Sequence, residues 1–138
     1  MSIHKKLMTV ALAILFAVPA FAQKNSADDI LGTYYLKDAK NGDSKVQFTK
    51  NGKGAFDCTI VWIKNPTDPK TGQGWKDVKN PDKSLRDRPV LGIKIIEGIA
   101  FDAQKGVWTG AKVYDPNRGI KANATISLTG DDGLEITG

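Results

Sequence analysis

Histidine and cysteine are each present once in the 138 residues, as His4 and Cys58. A single cysteine makes no internal disulfide. A single histidine, placed at the very start, leaves the body of the chain without an imidazole, which excludes Ser-His-Asp and Cys-His catalysis there. It also excludes a Cys/His zinc site, since carboxylates alone seldom build one. Blocks of like charge are missing too. Beyond Ala22 there are 18 Lys and Arg (20 less Lys5 and Lys6) against 15 Asp and Glu, interleaved along the chain. That is not the basic stripe of a nucleic-acid binder, and no nucleic-acid partner is expected. Nothing past Ala22 has the apolar length of a membrane span, no stretch has the period of a long amphipathic helix, and there is no internal repeat.

What is present begins with an export signature. His4, Lys5 and Lys6 precede the uncharged run Leu7–Ala22, which ends in Ala20-Phe21-Ala22. A positive start, a short apolar run and small residues at its end read as a signal peptide over residues 1–22, cut before Gln23. Residues 23–138 then form a single domain, expected to be periplasmic or secreted.

That domain reads as all-β. Ile30, Gly32, Tyr34 and Leu36 alternate, as do Val46 and Phe48. Asn51-Gly52 with Gly54 supplies a hairpin turn. The next run puts Phe56, Cys58, Ile60 and Trp62 on one face if alternation is strict. "VLGIKII" and "IAFD" follow as strands, then "VWTGAKVYD", the turn "PNRG", the alternating "IKANATISL", the turn "TGDDG" and a final "LEIT". Seven or eight short strands joined by tight turns form an antiparallel meander that must cover its apolar face, by folding into a sandwich or, as expected here, by closing into a lipocalin-like β-barrel that lacks or keeps its last strand. One segment breaks the rhythm. Asn65 to Pro89 spans 25 residues with Pro66, Pro69, Pro81 and Pro89. Loops this long are uncommon inside compact domains and are usually functional or disordered. Asp82 to Asp87 within it suits one helical turn.

Four stretches resemble a known family: "DILGTYY", "IVWIKNP", "KNPDKSLRDRPVLGI", and "WTGAKVYDPNRG" with "GDDGLEITG". In this order they look like domain-of-unknown-function family 2147 (DUF2147), small exported bacterial proteins without an established activity. Members of that family continue past the "LEITG" equivalent with one more strand, and many carry a cysteine pair where this chain has Cys58 alone. A weaker likeness is to lipocalin-like barrels, whose first strand carries Gly-x-Trp; Gly32-Thr33-Tyr34 stands in that place.

The candidate site residues are Trp62, Trp75, Asp82, Arg86, Asp87, Arg88, Trp108 and Tyr114. The aromatic residues Trp62, Trp108 and Tyr114 are core or rim packing, or else they line a ligand cavity with the Tyr114 hydroxyl as its polar handle. Trp75, in a Gly- and Lys-rich loop, is a plug on the barrel or an anchor for a partner. Asp82, Arg86, Asp87 and Arg88 suit a salt-bridged latch over the barrel mouth. In an extended chain Arg86 and Arg88 point the same way and would take an anion. Cys58 reads as a small core hydrophobe. Asp131-Asp132-Gly133 is a hairpin turn rather than a calcium loop.

The expected function is binding of a small or lipid-like ligand under the long loop. The alternative is a pocketless cell-envelope interaction protein. A hydrolase built on Asp82 and Asp87 is the least favoured reading. No enzyme activity, catalytic residue, metal or cofactor is expected.

Overall fold

The structure, a computed structural model, describes residues 2–5 and 25–138. Most of the stretch read as a leader, and its cleavage point, lies outside the described residues; the part of it that is described, Ser2–Lys5, is a strand of the barrel. Eight strands follow in chain order: β1 (Ser2–Lys5), β2 (Gly32–Leu36), β3 (Ser44–Lys50), β4 (Phe56–Ile63), β5 (Lys94–Asp102), β6 (Val107–Asp115), β7 (Ile120–Leu128) and β8 (Gly133–Thr137). Each pairs antiparallel with the next. The seven strands from β2 onward make a nearly closed barrel. β1 fills the seam, with His4 opposite Tyr35 on one side and Ile3 opposite Leu134 on the other.

An up-and-down order sends alternate connections to opposite ends. The hairpins 37–43 and 116–119 and the long connection 64–93 lie at one end, called here the loop end. The hairpins 51–55, 103–106 and 129–132 lie at the other, the far end.

Alternation fills the interior. Tyr34, Val46, Phe48, Phe56, Cys58 and Ile96 belong to one continuous core cluster. A small barrel packed this way is a filled core, not a pore. Tyr34 and Phe48 meet edge to face, their ring centroids 5.6 Å apart. At the far end a short 3-10 helix (Ala27–Ile30) plugs the barrel: Ile30 is fully buried, and the Tyr34 hydroxyl donates to its carbonyl at 2.8 Å. The Trp108 indole N–H donates to the Ala27 carbonyl at 3.0 Å from a ring that has no exposure at all.

Strict alternation fails at irregularities that period-two reading does not contain. Val46 faces Ile60, but Lys45 faces Trp62, so Val61 is an extra residue in β4. A bulge of this kind reverses the parity beyond it. Trp62, expected on the inner face with Ile60, therefore points outward and is 36 % exposed, while Ile63 packs against the core. In β5 the expected strands "VLGIKII" and "IAFD" are one continuous strand that starts only at Lys94, because residues 90–93 form a turn. Its irregularity at Gly98 (φ 74°) suits glycine, since that backbone conformation crowds a Cβ. The Gly98 N–H donates to the Asp57 carboxylate at 3.0 Å.

Candidate functional site

The long connection does not splay into water. It runs across the loop end and touches both neighbouring hairpins. Near its start the Lys64 N–H donates to the Asp43 carbonyl at 2.9 Å. Further along, Lys79 lies against the 116–119 hairpin so closely that a Cβ on Gly119 would collide with the Lys79 carbonyl. Gly119 therefore serves twice, through its positive φ (68°) and through the space it leaves. Within the connection, two short ribbons form: Thr67 bridges Gly74, and Lys76 bridges Pro89. The Val90 N–H donates to the Trp75 carbonyl at 2.9 Å.

One carboxylate holds this segment to the barrel. Asp77 is fully buried, an uncommon place for an acid unless it is partnered. The Tyr114 hydroxyl, on β6, donates to its Oδ1 at 2.6 Å. Asn80 Nδ2 and Arg88 Nε each donate to its Oδ2 at 2.9 Å. Burial alone would raise the Asp77 pKa, but the hydrogen bonds from Asn80, Tyr114 and Arg88 outweigh it and hold the carboxyl below its usual range. The same contact works the other way on its partner. Burial first, then the hydrogen bond to Asp77, pushes the Tyr114 hydroxyl up to about 12. The Arg88 guanidinium also lies over the Tyr114 ring, 5.8 Å from its centroid. Arg86 joins the knot through its Nε, which donates to the Asn80 carbonyl at 2.7 Å.

The eight sequence candidates separate clearly. Arg88 and Tyr114 meet at Asp77, with Arg86 next to them on Asn80. Arg86 and Arg88 do not reach this point as an extended i, i+2 pair: Arg86 closes the 3-10 turn Lys83–Leu85, in the region where a helical turn was expected. Asp82 and Asp87 are both exposed and do not form the latch. Asp82 instead caps that turn, accepting from the Ser84 N–H at 2.9 Å and the Ser84 hydroxyl at 2.7 Å. These bonds, followed by the charges of Arg86 and Arg88, lower its pKa. Trp75 sits at the loop end, half-buried at its rim, with its indole N–H on the Asn65 carbonyl at 2.7 Å. Trp108 belongs to the far end and Trp62 to the outer wall, so neither shares the site. Asp77 and Asn80, the centre of the knot, were missed. Their sole sequence signal was a position in the proline-bounded loop.

Beside the knot an open groove of about 390 Å³ is lined by Arg88, Pro89, Leu91, Ile93, Lys94 and Glu97. It combines two cations and one acid, Glu97, with exposed apolar surface, Leu91 being 51 % exposed. Lys94 Nζ lies 3.4 Å from the Asp57 carboxylate. A second cleft, of about 230 Å³, opens at the far end between Asn25, Asp29, Tyr34 and the 129–132 hairpin. Among the described residues no three His, Cys, Asp or Glu side chains gather as metal ligands. No helix among them is long and apolar enough to cross a membrane.

Comparison with known proteins gives a family and a fold. Residues 32–138 match the family described as "Uncharacterized protein conserved in bacteria (DUF2147)". No curated protein matches. A solved structure titled "Protein HP1028 from the human pathogen Helicobacter pylori belongs to the lipocalin family" is similar in fold, with a TM-score of 0.64 and 22 % identity. The match covers 78 % of this chain and 70 % of that one. At that identity the likeness concerns the lipocalin-like barrel alone.

Proposed function

We propose that this chain, which belongs to the DUF2147 family, is an exported binding protein that takes an anionic, lipid-like small molecule in the groove beside its long loop. The observation that carries this reading is the way Arg88 is presented. Its guanidinium hydrogen-bonds through Nε to a carboxylate that is itself fully buried and already accepts from two other donors. Arg88 also lines the groove, and a planar guanidinium fork suits a carboxylate or phosphate headgroup. Lys94 flanks the same groove, and Leu91 and Pro89 supply apolar surface for a chain. The binding place moves with this reading. Beneath the loop the space is taken by the Asp77 knot, so the ligand lies at the loop's side rather than under it. Export to the periplasm or beyond is supported by the charged start and the apolar run to Ala22.

Calorimetric titration with dodecanoate and with a lysophosphatidylglycerol, both kept monomeric, tests the proposal. Saturable binding is expected, weakened about tenfold by Lys94→Gln, the loss of one charge-assisted contact. Absence of binding to both probes, or binding indifferent to Lys94→Gln, overturns it. Native mass spectrometry of the protein from its own source would reveal the natural ligand. A second reading, attachment to an envelope protein, is favoured by Trp75, a tethered indole with an exposed face. Capture of a partner that survives Trp75→Ala would remove it.

A further inference from the structure

The outward turn of Trp62 is costly in packing terms and invites an explanation. Without the extra residue Val61, Trp62 would continue the buried row of Phe56, Cys58 and Ile60. With it, two large apolar side chains, Val61 and Trp62, are 40 % and 36 % exposed at the end of β4. Bulges commonly re-aim a side chain for use. The surroundings of Trp62 are specific. In the outer row across β2, β3 and β4, Tyr35 stands opposite Lys45 and Lys45 opposite Trp62. Lys45 Nζ lies 4.7 Å from the indole centroid, and the Tyr35 ring lies 6.1 Å from it. The Tyr35 hydroxyl is fixed on Asp43 at 2.6 Å. Lys37 and Lys64 stand close enough to lower the Asp43 pKa, after the larger contributions of Tyr35 and the Asp38 N–H.

This patch sits within a molecule whose charge is divided by end. The segments 37–45, 60–94 and 112–123, which make the loop end, hold fourteen Lys and Arg against seven acids. The segments 25–36, 46–59, 95–111 and 124–138 hold three against eight. The loop end therefore turns toward a negative surface and the far end away from it. Trp and Tyr rings ringed by lysines suit the interface of a bilayer, where the ring lies at headgroup depth and the ammonium groups reach anionic lipid.

We infer that Val61, Trp62 and Tyr35, with Lys37, Lys45 and Lys64, form a docking patch for an anionic phospholipid bilayer surface, which the protein touches without spanning. The inference does not depend on the groove at Arg88. Binding of a monomeric ligand there and docking on a bilayer are separate events read by separate probes.

Co-sedimentation of the intact protein with mixed phosphatidylcholine–phosphatidylglycerol vesicles is the test. Partition should exceed that on pure phosphatidylcholine and fall as salt is raised. Trp62→Ser should lower it about tenfold, and each of Lys45→Gln and Lys64→Gln roughly fivefold. The far-end pair Lys53→Gln with Lys105→Gln should leave it unchanged. Trp62→Ser alters an exposed position, and an unchanged melting temperature will show that its effect is not misfolding. Equal partition on the two vesicle types, no partition at all, or indifference to Trp62→Ser overturns the inference. So does self-association in sedimentation that Trp62→Ser abolishes, which would make the patch a contact between copies of this chain.

Discussion

The two ends of the barrel are closed by opposite chemistry. At the far end the plug is apolar: Ile30 and Trp108 lie fully inside, and the Tyr34 hydroxyl and the Trp108 N–H donate to backbone carbonyls. At the loop end the closure is ionic and hydrogen-bonded, built on Asp77 with donors from β6 and from two points of the loop itself. Apolar burial is roughly proportional to area and carries no titrating group, whereas a buried carboxylate depends on each donor and on its own protonation. Large exposed apolar side chains follow the same division: Trp62, Trp75, Val78, Leu85, Leu91 and Ile120 all sit at or beside the loop end.

Four changes separate the ends, in falling order of effect. Trp108→Ala, which empties the far-end core, should cost about 3–5 kcal/mol and leave the barrel largely unfolded on warming. Denaturant melts measure this, and a loss near zero would show that the far end is not the stabilising one. Asp77→Ala should cost about 3 kcal/mol, because Arg88 and Tyr114 lose their common acceptor, yet the loss should be local. Hydrogen exchange should quicken at the amides of Asp77 and Val90 while those of β3 and β4 stay protected. Uniform loss across the strands would mean that the loop end supports the whole barrel. Gly119→Ala should cost about 1–3 kcal/mol from positive φ and from the contact with Lys79. It should shift the loop and weaken binding in the groove without changing far-end exchange rates. Trp62→Ser should change the melting midpoint least, by about 0.5 kcal/mol or less, as expected for an exposed position.

A pH series sharpens the same comparison. Asp77 has a folded pKa below its unfolded value, so its contribution is present above about pH 4 and is lost as pH falls through the lower folded value. Tyr114 has its pKa raised to about 12, so its contribution is complete below about pH 10 and is lost as pH rises through the folded value. Loop-end hydrogen exchange should therefore be slowest between these limits. The Trp108 environment should hold unchanged well into the acid range, where the loop has already loosened. Simultaneous loss of both ends at low pH would contradict the division.

How much of this was visible in the residues alone follows from what periodicity can carry. The strands and tight turns were legible because alternation, Asn51-Gly52 and "PNRG" each have a direct backbone meaning. The barrel followed from the need to cover an apolar face. The bulges were not legible in the same way. Gly98 within a strand pattern is a hint of one, but Val61 carries no such mark, and with it went the orientation of Trp62. The length and proline content of the long loop mark it as the place of interest, and Arg88 and Tyr114 are legible as a planar cation and a placed hydroxyl. Asp77 was passed over because a fully buried carboxylate looks in sequence like any other acid of a polar loop. Only its three donors, one of them 37 residues away, distinguish it. Asp82 and Asp87 drew attention for their spacing, and both face solvent.

Cys58 lies in the core at 1 % exposure, and burial pushes its thiol well above the ordinary value. It is thus silent toward thiol reagents in the closed barrel and reactive once the strands around it part. The chain carries a built-in clock: the rate at which a maleimide captures this single sulfur counts the opening events of the barrel wall, without any label having to be engineered in.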